Sequence, residues 1–452
     1  MNKLYSLSAI ETISLIKSNK ITVKELIEST INRIEKVNHN FHSFVNTNNK
    51  NSLEIAKQID KKIKRGEDVG KLWGIPIGVK DTINEQTMPT EMGSKIWKGF
   101  TPGNDARVIY NIKKNFGLII GKTDTAEFAV SSLGKALNPF DITRTPGTSS
   151  SGSATAVASF MTPLAIGTQT AGSIIRPASY CGIYGFKPSF GLIPRTGMLK
   201  TTDSLDQIGI FSRNPQDLKL LFSTMHVKGN NYPMSNKILE NSKNLKIEQK
   251  KIKIGFVKTH TWNNATNEVK GLFEKFIKNI KTIKQFDVEE VILPKKFELC
   301  HKMHQIIYSK SLSYYFKDEL KAKKLVSKLF YDFSSESKKY DFIQYNYALQ
   351  YQSDISKILD NKFKKYDFIF SLSTSDHAPL RNEKEKEDPS LIWTMCGVPT
   401  VNLPVFKTSK KLPLGIQVFT KKYNDFYLLN FIIFLQEKNM ISKINLPKNL
   451  QN

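Results

Sequence analysis

The chain has 452 residues, room for two or three domains or one large α/β domain with insertions, and 40% hydrophobic residues to fill a core. No uncharged apolar window of about 18 residues occurs, and Glu11 interrupts the apolar run that a signal peptide needs, so a cytoplasmic protein with no membrane partner is expected. A net charge of +26 raises nucleic acid as a partner, but the excess is lysine spread along the whole chain without an Arg-aromatic motif or basic tail, so none is expected.

Residues 6–38 predict two amphipathic helices, within a helical N-terminal segment over 1–70. Ser8 with Glu11, and Thr22 with Glu25, have the spacing of capping boxes. From about residue 72 short apolar strands alternate with helices. LWGIPIGVKD reads as strand, DARVIYNIKKN as helix, FGLIIGKTD as strand, GSATAVASFM as helix and TPLAIGTQ as strand. Residues 225–350 are lysine-rich but keep the alternation, with KIKIGFVK, VKGLFEKFIKNIKTI and VEEVILP as strand, helix and strand, then long helices rich in Tyr and Phe. RNEKEKEDP, 381–389, reads as an exposed loop before the apolar run Trp393–Phe419. There is no internal repeat and no long linker. The expectation is one α/β domain over 1–452 with 225–350 as a variable sub-region, built on a large mixed but mostly parallel sheet with helices on both faces.

Several motifs nearly form and carry nothing. Cys181, Cys300 and Cys396 are far apart without CxxC spacing, which argues against a disulfide framework or zinc ribbon. Cys300, His301 and His304 in LCHKMHQ share a helix face but lack a fourth ligand, so no metal is expected. GLIIGKT has three residues between its glycines where a phosphate cradle needs four. Ser14 with Lys17, and Ser335 with Lys338, have S-x-x-K spacing without SDN or KTG partners, and no serine sits in a G-x-S-x-G elbow.

Three segments form a constellation. In GIPIGVKD, Lys80 ends an apolar strand, where desolvation lowers an amine's pKa until it can accept a proton. In TPGTSSSGSATAVA, five hydroxyl residues and two glycines take seven of the eight positions from Gly147 to Ala154, just before a helix of small residues. In GTQTAGSIIRPASYCGIYGFKPS, the turn Thr170–Ser173 follows a strand, and its backbone N–H groups are candidates to face one oxyanion.

Together these segments resemble the amidase signature family, which cleaves amides with a Ser-Ser-Lys triad. The resemblance extends through PTEMGS, GKTDTAEFA, SLDQIG and WTMCGVPTVNLP, nearly the whole chain. It implies Ser173 as the nucleophile that forms an acyl-enzyme, Ser149 as the bridging serine and Lys80 as the base acting through it. It also implies an oxyanion hole over Thr170, Ala171, Gly172 and Ser173, a cis peptide before Ser149, and no cofactor. Ser150 and Ala129 are further substrate-side candidates, with Ser150 and Ser153 also placed to bond backbone and Lys80 at the helix start. A homodimer is one expected state.

The family also contains the A subunits of tRNA-dependent amidotransferases, which usually read DTGGSIRQP. Here QTAGSIIRP puts Gln169 at the Asp position and moves the arginine to Arg176, three residues after Ser173, which is more similar to the free-standing small-molecule amidases. Arg176 is then either an anchor for a substrate carboxylate or a structural arginine. The expected activity is hydrolysis of a small amide to acid plus ammonia or amine. The alternatives are the A subunit of an amidotransferase and, in another class, a non-catalytic or basic nucleic-acid-binding protein.

Overall fold

A computed structural model describes residues 3–130, 132–229, 237–243, 245, 247, 251–387, 389–444, 446–447 and 450. Its strands are β1 (Phe44–Thr47), β2 (Pro76–Lys80), β3 (Leu118–Thr123), β4 (Leu164–Gln169), β5 (Tyr184–Lys187), β6 (Gln207–Ser212), β7 (Ile252–Phe256), β8 (Phe286–Glu290), β9 (Phe368–Leu372), β10 (Thr400–Lys407) and β11 (Pro413–Phe419). The helices are α1 (Ala9–Lys17), α2 (Val23–Phe41), α3 (Asn49–Lys64), α4 (Arg107–Lys114), α5 (Ser151–Ala158), α6 (Ile175–Tyr180) and α7 (Pro215–Met225). The second half adds α8 (Lys237–Ser242), α9 (Asn267–Lys281), α10 (Cys300–Tyr315), α11 (Lys328–Ser335), α12 (Phe342–Lys362), α13 (Ser390–Met395) and α14 (Asp425–Glu437). Both capping boxes form, Ser8 with Glu11 at α1 and Thr22 with Glu25 at α2.

All these strands belong to one sheet in the order β1-β3-β2-β4-β6-β5-β10-β11-β9-β7-β8. The expectation of a mostly parallel sheet needs correction. Only β2 with β3 and β4, and β7 with β8 and β9, pair in parallel. The six pairings at β1 and across the centre from β4 to β9 are antiparallel. The cause is local: β10 and β11 are joined by a short turn as a hairpin, and no helix separates β5 from β6, whereas the parallel flanks are joined by helical crossovers.

Alternation along the strands divides the core. Leu164 and Ile166 of β4, with Ile208 and Ile210 of β6, join the large cluster that includes Leu218, Leu221 and Phe222 of α7. Ala165 and Phe211 point the other way, to Ala154, Val157, Ile174 and Ala178. Two glycines open that second face. A Cβ at Gly167 would lie 2.7 Å from Ser150 Oγ, and one at Gly209 would lie 2.7 Å from Ile174 Cγ1, so only glycine lets α5 and the start of α6 settle on the sheet. This close seating brings the hydroxyl loop onto the ends of β2 and β4. Among the described residues, no helix is long and apolar enough to cross a membrane.

Candidate active site

β2 and β4 run parallel with Val79 opposite Ile166, so their C-terminal ends lie side by side. Lys80, the last residue of β2, is fully buried, and its Nζ is 2.8 Å from Ser149 Oγ and 2.8 Å from Thr168 Oγ1. Its hydrogen-bond partners are thus hydroxyls. Burial pulls the amine down from 10.5 to about 7, opposed by the more distant charges of Asp206 and Asp124. Near neutral pH a large share of this lysine carries a lone pair, and the Ser149 hydroxyl lies within reach to donate to it.

Ser149 is held from behind. The Thr148–Ser149 peptide is cis, and the Ser149 carbonyl accepts from Ala126 N and Thr125 Oγ1, both at 3.2 Å. The neighbouring serines are structural. Ser150 Oγ donates to Thr168 O at 3.0 Å and accepts from Thr168 N at 3.2 Å, which ties the loop to β4. The Ser150 hydroxyl is thus buried and bonded to Thr168 rather than to Lys80. Ser153 Oγ likewise bonds Thr123 Oγ1 and Ile166 O rather than Lys80.

Ser173 lies at the end of the loop from β4 into α6 and is 9% exposed. Three successive carbonyls of this loop are pinned by separate donors. His304 Nε2 lies 3.0 Å from Thr170 O, Thr394 Oγ1 donates to Ala171 O at 2.7 Å, and Arg176 N donates to Gly172 O at 2.8 Å. Burial drives His304 down to about 4, so the neutral ring donates its Nε2 proton to that carbonyl. Thr170 Oγ1 also donates to Asp206 Oδ1 at 2.6 Å, and Asp206 is fixed in turn by the amides of Thr201 and Thr202. Gln169, at the position that departs from the amidotransferase pattern, accepts from Ile174 N and Ile175 N through Oε1 and donates to Thr394 through its amide. With its carbonyls committed, the loop is rigid enough to present its amides in one orientation.

Arg176 does not stand open. Its Nη1 donates to Glu385 Oε2 at 2.8 Å, and both side chains are largely buried. Glu385 belongs to the segment expected to be an exposed loop, so that expectation fails at this residue. Ala129 lies at the end of the turn after β3, its amide bonded to Ala126 O, beside Phe128, which packs on Phe316 and Phe330. The LCHKMHQ cluster is divided among three places: Cys300 bonds Tyr351, His301 pairs with His260, and His304 reaches Thr170. Among the described residues no group of three or more His, Cys, Asp or Glu is arranged to hold a metal.

Sequence reasoning missed Thr168, Asp206, His304, Glu385 and Thr394 as parts of this site. Thr168, Asp206 and Thr394 stand inside motifs that carried the resemblance, GTQTAGS, SLDQIG and WTMCGVPTVNLP. His304 and Glu385 come from distant segments whose sequence does not point to this site.

The site thus joins a buried amine bonded to a loop serine at the end of β2 with a pinned loop after the neighbouring β4 that carries a second serine. The amidase family matches residues 25–429, and the chain belongs to that family, hydrolases acting on the carbon–nitrogen bonds of amides. It is similar to the A subunit of a glutamyl-tRNA(Gln) amidotransferase from Clostridium acetobutylicum, 31% identical over 474 residues, covering 95% of this chain and 96% of the relative. The fold is shared with the peptide amidase of Stenotrophomonas maltophilia, TM-score 0.82 at 20% identity over 97% of this chain and 98% of that one. It is also shared with the A subunit of the glutamyl-tRNA(Gln) amidotransferase of Thermotoga maritima, TM-score 0.79 at 23% identity over 98% of each chain.

Proposed function

We propose that the chain hydrolyses a small carboxylic amide through an acyl-enzyme on Ser173. The observation that carries this reading is the pair formed by Lys80 Nζ and Ser149 Oγ, 2.8 Å apart in a fully buried setting where the amine bonds hydroxyls. A serine hydroxyl is a poor nucleophile until a base removes its proton. Lys80 takes a proton from Ser149 as Ser149 takes one from Ser173, and Ser173 Oγ bonds to the amide carbon. The amides of Thr170 to Ser173 receive the oxyanion, a contribution of about 2.7–4 kcal/mol per donor. The proton returns through Ser149 to the leaving nitrogen as the carbon–nitrogen bond breaks. Water then attacks the ester by the same relay and releases the acid.

A small amide is the proposed partner and the cytoplasm the proposed location, with a homodimer as the expected assembly. Purified protein is incubated with aliphatic, aromatic and dicarboxylic monoamides, and ammonia is measured. Release by the wild type and its loss in a folded Ser173→Ala variant are expected; equal release by that variant overturns the nucleophile.

The identity of 31% over 95% of the chain favours a second reading, in which the chain is the A subunit of a tRNA-dependent amidotransferase. That reading predicts glutamine as the preferred amide and a rate that rises when the amidotransferase's B and C subunits join the assay. The departures at Gln169 and Arg176 favour the free-standing enzyme, which acts at full rate alone.

A further inference from the structure

Resting on the roles given above to Ser149 and Ser173, we propose that Glu385 is a positioning residue, a resident carboxylate that locks the two serine-bearing segments together and fills the place at Arg176 where a substrate carboxylate would bind. Glu385 Oε2 accepts from Arg176 Nη1 at 2.8 Å and from Thr148 Oγ1 at 2.9 Å. Its Oε1 accepts from Thr148 N at 3.1 Å and Thr145 Oγ1 at 3.3 Å. One carboxylate thus grips the residue before Ser149 and the residue three after Ser173.

The rest of the segment delivers it there. Residues 378–385 lie as a strap across the loop that leads to Ser149. Arg381 donates to Ala136 O at 2.8 Å and Gly134 O at 3.0 Å, Arg144 donates to Ala378 O at 2.6 Å, and Thr145 N donates to Pro379 O at 3.0 Å. Within the strap, Glu383 bonds its own segment at Leu380 N, while Glu385 turns inward and is 14% exposed. An exposed ion pair contributes little to stability, but this one is shielded and its donors flank both serines. A guanidinium is built to hold a carboxylate, and this protein supplies that carboxylate itself.

The test needs no knowledge of the substrate. The labelling rate of Ser173 by phenylmethanesulfonyl fluoride is measured in the wild type, Glu385→Ala and Glu385→Gln, with and without sodium formate, and melting temperatures report folding. The expected result is at least a tenfold slower labelling in Glu385→Ala, a smaller loss in Glu385→Gln, and saturable recovery by formate in Glu385→Ala alone. A merely structural role does not produce recovery by formate. On an amide panel, Glu385→Ala also shifts the ratio of kcat/KM for acidic over neutral amides upward by tenfold or more. Labelling of Glu385→Ala within twofold of wild type, or a loss that formate leaves unchanged, overturns the proposal. Wild-type label at a residue other than Ser173 instead overturns the reading of the nucleophile, and the proposal falls with it.

Discussion

Each parallel flank of the sheet carries a lysine at or just beyond the C-terminal end of its middle strand, with opposite outcomes. β2 lies between β3 and β4 and ends at Lys80; β7 lies between β8 and β9 and is followed within two residues by Lys258. Lys258 keeps 32% of its side chain exposed, pairs with Glu274 at 3.0 Å and lies over the Trp262 ring. Lys80 has no exposed surface, and its hydrogen bonds go to two hydroxyls. What differs is the cover. At the end of β2 the hydroxyl loop and the end of β4 bond the amine and leave it buried, whereas Lys258 stays partly in solvent beside a carboxylate. Burial without a paired acid is what pulls a strand-end lysine down toward neutral pH.

Exchanging the charge behaviour of Lys80 is expected to break the contrast most severely. Arginine at that position stays protonated at any working pH, so Lys80→Arg is expected to lower the ammonia-release rate by at least about 10³, within the range of general-base catalysis. Lys80→Met sharpens the contrast through stability. In the wild type the folded pKa of about 7 lies below the ordinary 10.5, so the unfolded chain binds more protons between those limits and stability rises with pH by about 1.4 kcal/mol per unit. Methionine removes that slope. Denaturation should therefore show Lys80→Met gaining most against the wild type at pH 6–7 and losing that advantage toward pH 10.

Asp206 tests the next layer. It holds Thr170 and also raises Lys80, so Asp206→Asn is expected to cost ten- to a hundredfold in kcat, about 1.4–2.7 kcal/mol, while moving the acid limb of the rate profile to lower pH. A loss of rate with an unmoved limb would separate the two effects. The smallest change belongs to the other flank: Lys258→Ala should leave amide hydrolysis unchanged and alter stability by less than about 1 kcal/mol, as measured by urea denaturation.

What the sequence revealed follows the range of its interactions. Lys80 at a strand end, Ser149 in a loop and α5 after it depend on residues close in sequence, where apolar runs and small residues speak directly. The capping boxes of α1 and α2 are equally local. The antiparallel centre of the sheet was not legible, because continuous apolar strands look alike whether their neighbours run parallel or antiparallel. Strand β8 begins at Phe286, two residues before the VEEVILP run, and ends inside that run at Glu290, so the residues up to Pro294 read as strand without joining the ladder.

The clamp at Glu385 was hidden for a different reason. A run such as RNEKEKED reads as solvated, and nothing in it tells which carboxylate meets an arginine 209 positions away. His304 was visible only as a weak metal ligand, because its partner is a backbone carbonyl 134 residues away. Arg176 looked available to a substrate because sequence spacing carries no information about what already occupies a guanidinium.

The central claim is that a neutral Lys80 activates Ser173 through Ser149. The most direct measurement is the rate of phenylmethanesulfonyl fluoride labelling against pH, with the labelled peptide identified by mass spectrometry. The predicted result is label on Ser173, with a rate that rises through a midpoint near pH 7 and a midpoint that disappears in Lys80→Met. A rate that does not change between about pH 5 and 9, or one whose midpoint persists without Lys80, would contradict the account.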